Sequence, residues 1–251
     1  MALEQLFPER REVEVGEAYA ELELHALGPP SRPYVVANMI SSTDGRATLH
    51  GKTRALSSEV DRELFLELRT RVDAVMVGPA TIAIEGYGPL LRSQERRERR
   101  REQGLEAVPL AVTPSRTMEL PVDSPLFQDP ESRIVVLTNS DRPPPPAPAQ
   151  VVVERIPGPE LDFALALERL RSTHGIRSVL VEGGPTILAA MVSANVVDEL
   201  FLTIAAKLVG GDGEVSPLEG SALDESADLT LRWVLKEGSY LYLRYAIGSG
   251  A

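Results

Sequence analysis

Two short stretches of this chain repeat one pattern, and that pattern restricts the fold more than any other feature. Residues 75–82 read VMVGPATI and residues 179–188 read VLVEGGPTIL. Each is an aliphatic run that stops at glycine and restarts with proline, threonine and apolar residues. A buried strand feeding a helix has this form, because glycine closes the turn and proline suits the first helical position, where no N–H is needed. Such a junction leaves backbone N–H groups unpaired at the positive end of the helix dipole, and glycine lets a ligand approach the backbone closely. The turns at Gly78 and Gly184 are therefore read as phosphate seats. Two seats suit a ligand with two bridged phosphates, of which a dinucleotide is the commonest, although both turns would also serve as plain strand–helix connections.

The surrounding periodicity agrees with an α/β reading. Residues 34–40 (YVVANMI) form an apolar strand, followed by a loop over 41–52 rich in Ser, Thr, Asp and Gly. Val60, Leu64, Leu68 and Val72 recur at every fourth position, which predicts an amphipathic helix over 57–71 with Ser57 or Ser58 as N-cap. A strand at 74–77 completes a strand–helix–strand unit, whose crossover implies parallel strands. Further strands are predicted at 110–112, 134–137 and 151–153. Leu161, Leu165, Leu167 and Leu170 mark a second crossover helix leading to the strand at 179. Strands at 200–204, 229–235 and 240–245 follow without helices between them, and Glu237-Gly238-Ser239 reads as a hairpin turn. The expected class is α/β, a mostly parallel central sheet flanked by helices with a C-terminal antiparallel hairpin. The chain has 251 residues, 43% of them hydrophobic, enough for one large core. We expect a single domain with an N-terminal extension over 1–31 and a core over about 32–247. The stretch 93–103, which alternates Arg with Glu, suits a solvated helix, and Pro143 to Pro146 with Pro148 suit a stiff surface loop.

Several chemistries lack their residues. There is no cysteine, which excludes disulfides, thiolate metal sites and cysteine nucleophiles. His25, His50 and His174 lie far apart with no carboxylate at ligand spacing, so no metal site is expected. Gly51-Lys52-Thr53 resembles the end of a nucleoside triphosphate loop, but that loop needs glycine at position 46, which is Arg. Neither a Rossmann glycine fingerprint nor a GxSxG elbow occurs. The net charge of −11 argues against nucleic acid as a partner. The charged N-terminal stretch and the absence of a long apolar run predict neither export nor membrane spanning, and cytoplasm is the expected location. One window is balanced: residues 38–92 carry seven basic and seven acidic side chains, where an anionic small molecule would be tolerated.

What remains is a set of polar groups just beyond predicted strands: Ser41 to Arg46, Thr81 and Glu85, Ser115 and Arg116, and Glu182 to Thr186. In an open α/β sheet, ligands sit beyond the carboxyl ends of the parallel strands. SSTDGR at 41–46, LELRTRVDAVMVGPATI at 66–82, and VLVEGGPTIL followed by VDELFLTIAAKLVGG together resemble the reductase domain of riboflavin-pathway pyrimidine reductases, which is dihydrofolate reductase-like. The resemblance runs from about residue 32 to 245. It implies NADPH-dependent reduction of a 5-amino-6-(5-phosphoribosylamino)uracil-type substrate, with hydride addition at ribose C1′ giving the ribitylamino product. Catalysis of this kind rests on holding the nicotinamide beside that carbon and excluding water.

The resemblance also distributes roles. Ser41, Thr81, Glu85, Ser115 and Gly184, Pro185, Thr186, Ile187 and Leu188, within the segment 184–190, are expected to contact NADPH. Beyond the resemblance, Arg116, beside Ser115, is read from its own chemistry as a bidentate clamp for the adenosine 2′-phosphate that favours NADPH over NADH. Thr53, Arg69, Pro89 and Arg92 are assigned to the sugar phosphate and its surroundings, and Glu182 to the pyrimidine. Arg69 would alternatively complement the end of its own helix. Asp44 and Glu182 are the candidate catalytic residues, Asp44 as a loop former under the nicotinamide or as a proton relay. The resemblance further implies a homodimer built on the strands around 197–204 and 240–245. Asn38, Ala55 and Glu85 depart from the family pattern, where lysine, tryptophan and aspartate are frequent. Loss of the tryptophan opens the site, which keeps a pterin or dihydrofolate-like substrate as an alternative, alongside a non-catalytic nucleotide-binding module.

Overall fold

The computed structural model describes residues 2–248 apart from 212 and 224. In chain order the strands are β1 (Ala2–Phe7), β2 (Arg11–Glu14), β3 (Tyr34–Ser42), β4 (Ala74–Met76), β5 (Leu110–Pro114), β6 (Arg133–Thr138), β7 (Gln150–Arg155), β8 (Ser178–Val181), β9 (Glu199–Ala205), β10 (Leu229–Glu237) and β11 (Tyr240–Ile247). The helices are α1 (Leu24–Leu27), α2 (Glu59–Arg69), α3 (Pro79–Glu85), α4 (Gln94–Glu102), α5 (Pro125–Gln128), α6 (Phe163–His174) and α7 (Pro185–Ser193). Among the described residues no helix is long and apolar enough to cross a membrane. The chain divides into two compact units, one holding residues up to 22, 35–68 and from 185 onward, the other 23–34 and 69–184.

The second unit orders its strands β8-β4-β5-β6-β7, every neighbouring pair parallel. Its inner strands, such as SVLV, AVM and LAVTP, are almost wholly buried, as parallel strands covered on both faces must be. β7 is the outermost strand. The sequence reading names the strand at 74–77 without naming its neighbours, and β4 pairs in parallel with β8 and β5. Apolar runs report that a strand is buried, and carry no label for its neighbour.

The Arg/Glu helix also differs from expectation. α4 is capped by Ser93, whose side chain accepts from the Arg96 N–H, but the helix is not simply solvated. Arg100 is fully buried. Its Nη1 donates to the carbonyls of Arg69 and Val72, both at 2.7 Å, and its Nε to the Glu106 carbonyl at 2.7 Å. Burial draws its pKa down to about 10. The residue serves as an internal cap on carbonyls that helix geometry leaves unpaired at the end of α2.

In the first unit the order is β2-β1-β10-β11-β9-β3, with β3 and β9 parallel and the other pairs antiparallel. The N-terminal stretch read as an extension to the core therefore contributes two strands, with Leu3 and Val13 buried. Their short apolar alternation is masked in the sequence by flanking charges. The predicted hairpin forms as expected: Glu237 faces Tyr240 across a two-residue turn, with Gly238 at φ +55 in its first position. One face of β9 and β11 packs Phe201, Tyr242 and Thr203 inward, and Tyr19 and Trp233 stack against this core. The other face presents Leu200, Leu202 and Ile204 opposite Tyr245, Leu243 and Leu241, with Leu231 and Val234 beyond; all are only half-buried.

Candidate active site

In the second unit, Met76 lies level with both Val181 and Val112. The turns that leave β8, β4 and β5 consequently share one edge. Gly78 N donates to Gly183 O at 3.1 Å, so the two repeated turns are direct neighbours. The Gly78 N–H is therefore spent and Pro79 has none, so at this turn neither of these two residues offers an amide to a ligand. Gly183 holds φ +117, a conformation that favours glycine. At Gly184 a Cβ would come within 3.3 Å of Thr81 Oγ1, so bare backbone and the threonine hydroxyl sit close together.

At the end of β8, Glu182 is buried and fixed on three sides. Arg69 Nε donates to Oε1 at 2.6 Å, Arg69 Nη2 to Oε2 at 2.7 Å, and the Tyr87 hydroxyl to Oε2 at 3.0 Å. Arg69 Nη1 donates to the Leu90 carbonyl at 2.7 Å, and its guanidinium lies 5.5 Å from the Tyr87 ring centroid. Burial alone would lower the Arg69 pKa, but the Glu182 charge and hydrogen bonds more than offset it and the net shift is upward. Burial, reinforced by the same carboxylate, pushes the Tyr87 hydroxyl well above its ordinary value. The bidentate geometry is what a buried ion pair needs to balance its desolvation cost.

Arg69, which the sequence reading assigns to the sugar phosphate or to the end of its helix, directs three of its five N–H groups to Glu182 and the Leu90 carbonyl. Glu182 keeps some capacity. An ionised carboxylate offers about four acceptor sites, and three hydrogen bonds occupy it here. Tyr87 was not legible as a site residue, because nothing in its local sequence marks a partner 95 residues away.

Other polar groups of this unit are unspent. The hydroxyls of Thr81 and Ser115 and the guanidinium groups of Arg92 and Arg116 make no hydrogen bond or ion pair with any described residue. Ser115 follows β5 directly, its N–H donating to Leu137 O at 2.9 Å. Arg116 and Arg92 are exposed. Arg142, absent from the sequence reading, reaches the Thr117 carbonyl at 3.4 Å and so adds a second cation beside Arg116. Glu85 ends α3, and Pro89 lies in the turn between Tyr87 and Leu90.

In the first unit, Ser41 is buried at the end of β3 and donates to Ser42 O at 2.9 Å. Asp44 accepts from Ser42 Oγ at 2.6 Å, Val209 N at 3.1 Å and Gly210 N at 2.6 Å. The Ser42 hydroxyl first, then the Gly210 and Val209 amides, draw its pKa down to about 2. These contacts to Ser42, Val209 and Gly210 suit the loop-forming role expected of Asp44. Glu214, missed by the sequence reading, returns the contact. It accepts from Thr48 Oγ1 at 2.5 Å and His50 N at 2.6 Å, which, led by Thr48, lower its pKa. Thr53 opens a single helical turn over Thr53–Ala55. Pro185, Thr186, Ile187 and Leu188 form the first turn of α7; Thr186 is exposed, whereas Leu188 is buried and its side chain belongs to the core.

Residues 33–239 match the family model described as the RibD C-terminal domain. The chain is 30% identical over 232 residues to the 2,5-diamino-6-ribosylamino-4(3H)-pyrimidinone 5′-phosphate reductase of Methanothermobacter thermautotrophicus, covering 86% of this chain and 99% of that protein. It is 29% identical over 199 residues to the reductase of the same name from Archaeoglobus fulgidus, covering 76% and 88%. The crystal structure of a pyrimidine reductase-like protein from Corynebacterium diphtheriae superposes with a TM-score of 0.77 at 24% identity, over 95% of this chain and 100% of that one. The α/β, dihydrofolate reductase-like class with its antiparallel hairpin is thus the observed one.

Proposed function

Because the chain belongs to the RibD C-terminal domain family, we propose that it is an NADPH-dependent reductase of riboflavin biosynthesis, converting a 5′-phosphorylated ribosylaminopyrimidine to its ribitylamino form. The observation that carries this reading is the fixed, buried Glu182 at one end of an edge where the Thr81 and Ser115 hydroxyls and the Arg116 guanidinium make no hydrogen bond with any described residue. The archaeal relatives are named for a 2,5-diamino-4-pyrimidinone ring, which makes that ring, rather than the uracil, the first substrate to test.

When bound, NADPH supplies the hydride. The residues present suit it: the bare backbone at Gly184 lies beside Thr81, and Ser115 and Arg116 follow on the neighbouring strand with side chains uncommitted. Thr81, Glu85, Ser115 and the Gly184 backbone hold the cofactor in this reading. Arg116, with Arg142 behind it, meets the 2′-phosphate through charge-assisted hydrogen bonds. Glu182 takes a ring N–H of the pyrimidine on its remaining acceptor capacity, its orientation set by Arg69 and Tyr87. Pro89 lines the sugar, and Arg92 faces the phosphate. No side chain acts as a nucleophile; the protein contributes position and exclusion of water.

The half-buried apolar face formed by Leu200, Leu202, Ile204, Leu241, Leu243 and Tyr245 is assigned to a second copy of this chain. The reaction is placed in the cytoplasm. The test is NADPH consumption by the purified chain with the phosphorylated diaminopyrimidinone, the phosphorylated aminouracil and dihydrofolate offered separately. Turnover of either phosphorylated pyrimidine supports the proposal; turnover of dihydrofolate alone replaces it with the pterin-type reading, and cofactor binding without turnover with the non-catalytic one. Arg116→Ala should weaken NADPH about tenfold or more and leave NADH unchanged.

A further inference from the structure

Of the three side chains clustered at the end of β8, the tyrosine is the one a ligand meets. The Glu182 side chain is 0% exposed and that of Arg69 8%, whereas Tyr87 is only half-buried. The direction of the Tyr87–Glu182 hydrogen bond follows from its partners. A carboxylate paired with a guanidinium has no proton to give, so the phenol is the donor in the 3.0 Å contact. A hydroxyl carries one proton and two lone pairs. With its proton spent on Glu182, the Tyr87 oxygen can act toward a ligand only as an acceptor. The burial and the neighbouring carboxylate that raise its pKa keep it in this protonated form at neutral pH.

That oxygen is also held in place. α3 ends at Gly86, whose φ of +67 turns the chain back on itself. Tyr87 N then donates to Ile82 O at 3.0 Å, and Tyr87 O accepts from Leu126 N at 2.9 Å. The ring lies against the Arg69 guanidinium, 5.5 Å from its centroid. Backbone, ring and hydroxyl each have a partner, so the acceptor is set before a ligand arrives. A fixed acceptor beside a carboxylate suits a heterocycle with two neighbouring N–H donors. The two candidate pyrimidines differ in this respect. The ring for which the archaeal relatives are named, a 2,5-diamino-4(3H)-pyrimidinone, carries an amino group next to its N3–H. The aminouracil carries a carbonyl at the same carbon, which would set lone pairs against lone pairs.

We propose that Tyr87 is a specificity-determining contact: its oxygen accepts from the 2-amino group of the ring, beside the ring N–H that Glu182 takes, so that this chain prefers a 2-amino to a 2-oxo pyrimidine. The identity of the ligand rests on the reductase reading, but the preference is tested without turnover. Calorimetric titration with the two phosphorylated pyrimidines, in the absence of NADPH, should show the unaltered chain binding the diaminopyrimidinone about tenfold tighter than the aminouracil. Tyr87→Phe should lose about tenfold on the diaminopyrimidinone and stay within about threefold on the aminouracil. With NADPH present, the ratio of kcat/KM between the two rings should fall by the same factor. A tyrosine that served only to hold Glu182 would affect both rings alike, so an equal fall in Tyr87→Phe overturns the proposal. Equal affinity of the unaltered chain for the two rings overturns it without any variant. Turnover of both rings with equal efficiency keeps the reductase reading and rejects the contact. The stated binding preference without NADPH consumption keeps the contact and rejects the reductase reading.

Discussion

Glu182 and Asp44 are both carboxylates one step beyond a strand, and the structure uses them in opposite ways. Glu182 is buried and held by side chains, a guanidinium fork and a phenol, drawn from far along the chain. Asp44 is exposed and held by the Ser42 hydroxyl and by backbone amides of one loop, with Glu214 of that loop reciprocating on the Thr48 hydroxyl and the amide of His50. The first arrangement fixes an acceptor rigidly while sparing part of its capacity for a ligand. The second spends the carboxylate on tying two loops together. Residue type and position after a strand do not distinguish these two carboxylates; burial and a charged guanidinium partner do.

The sharpest way to break this contrast is Arg69→Met, which leaves the Glu182 charge buried and half-paired. It should cost about 3–5 kcal/mol in urea unfolding and abolish turnover. Tyr87→Phe removes one hydrogen bond to the same carboxylate. We expect a loss of about 1.5–3 kcal/mol, with the conservative side chain retaining the fold and kcat/KM for the pyrimidine falling about tenfold. Asp44→Asn should leave the fold intact and accelerate amide exchange at Val209 and Gly210. Its pH dependence has a fixed sign: the folded pKa of about 2 lies below the ordinary 3.8, so the clasp is fully present above the higher value and lost as pH falls through the lower. Exchange at those amides should rise over that window in the native chain and show no such step in Asp44→Asn. Glu214→Gln should have the smallest effect, faster exchange at His50 with turnover nearly unchanged; a loss of turnover as large as that of Tyr87→Phe would erase the distinction.

Much of the architecture was legible because it is written locally. The aliphatic runs at β4, β5, β6 and β8, the fourfold spacing of α2 and the glycine of the β10–β11 turn each state their element within a few residues. What was not legible depends on distance. Arg69 and Glu182 are 113 residues apart, and no local pattern announces that each is the other's partner. Arg100 sits in a run of like charges and is the one whose head is buried on the carbonyls of Arg69 and Val72, a choice made by tertiary packing. The repeated glycine turns announced themselves, but their mutual hydrogen bond did not, and it is that bond which removes the Gly78 amide from ligand binding. Strands β1 and β2 escaped because four- and six-residue alternations among charged residues fall below the signal of a loop.

The position of β7 as the outermost strand of its unit carries a cost for solubility. Its sequence, QVVVER, joins three β-branched residues, and Val152 is 51% exposed. A strand of that composition with a free edge is a template for pairing with other chains. The proline-rich approach ending at Pro148, and the charges of Glu154 and Arg155 at its far end, act as gatekeepers against such growth. Replacing those flanking residues with neutral strand formers would turn a tolerated border into a nucleus for aggregation, without touching a single group on which the chemistry depends.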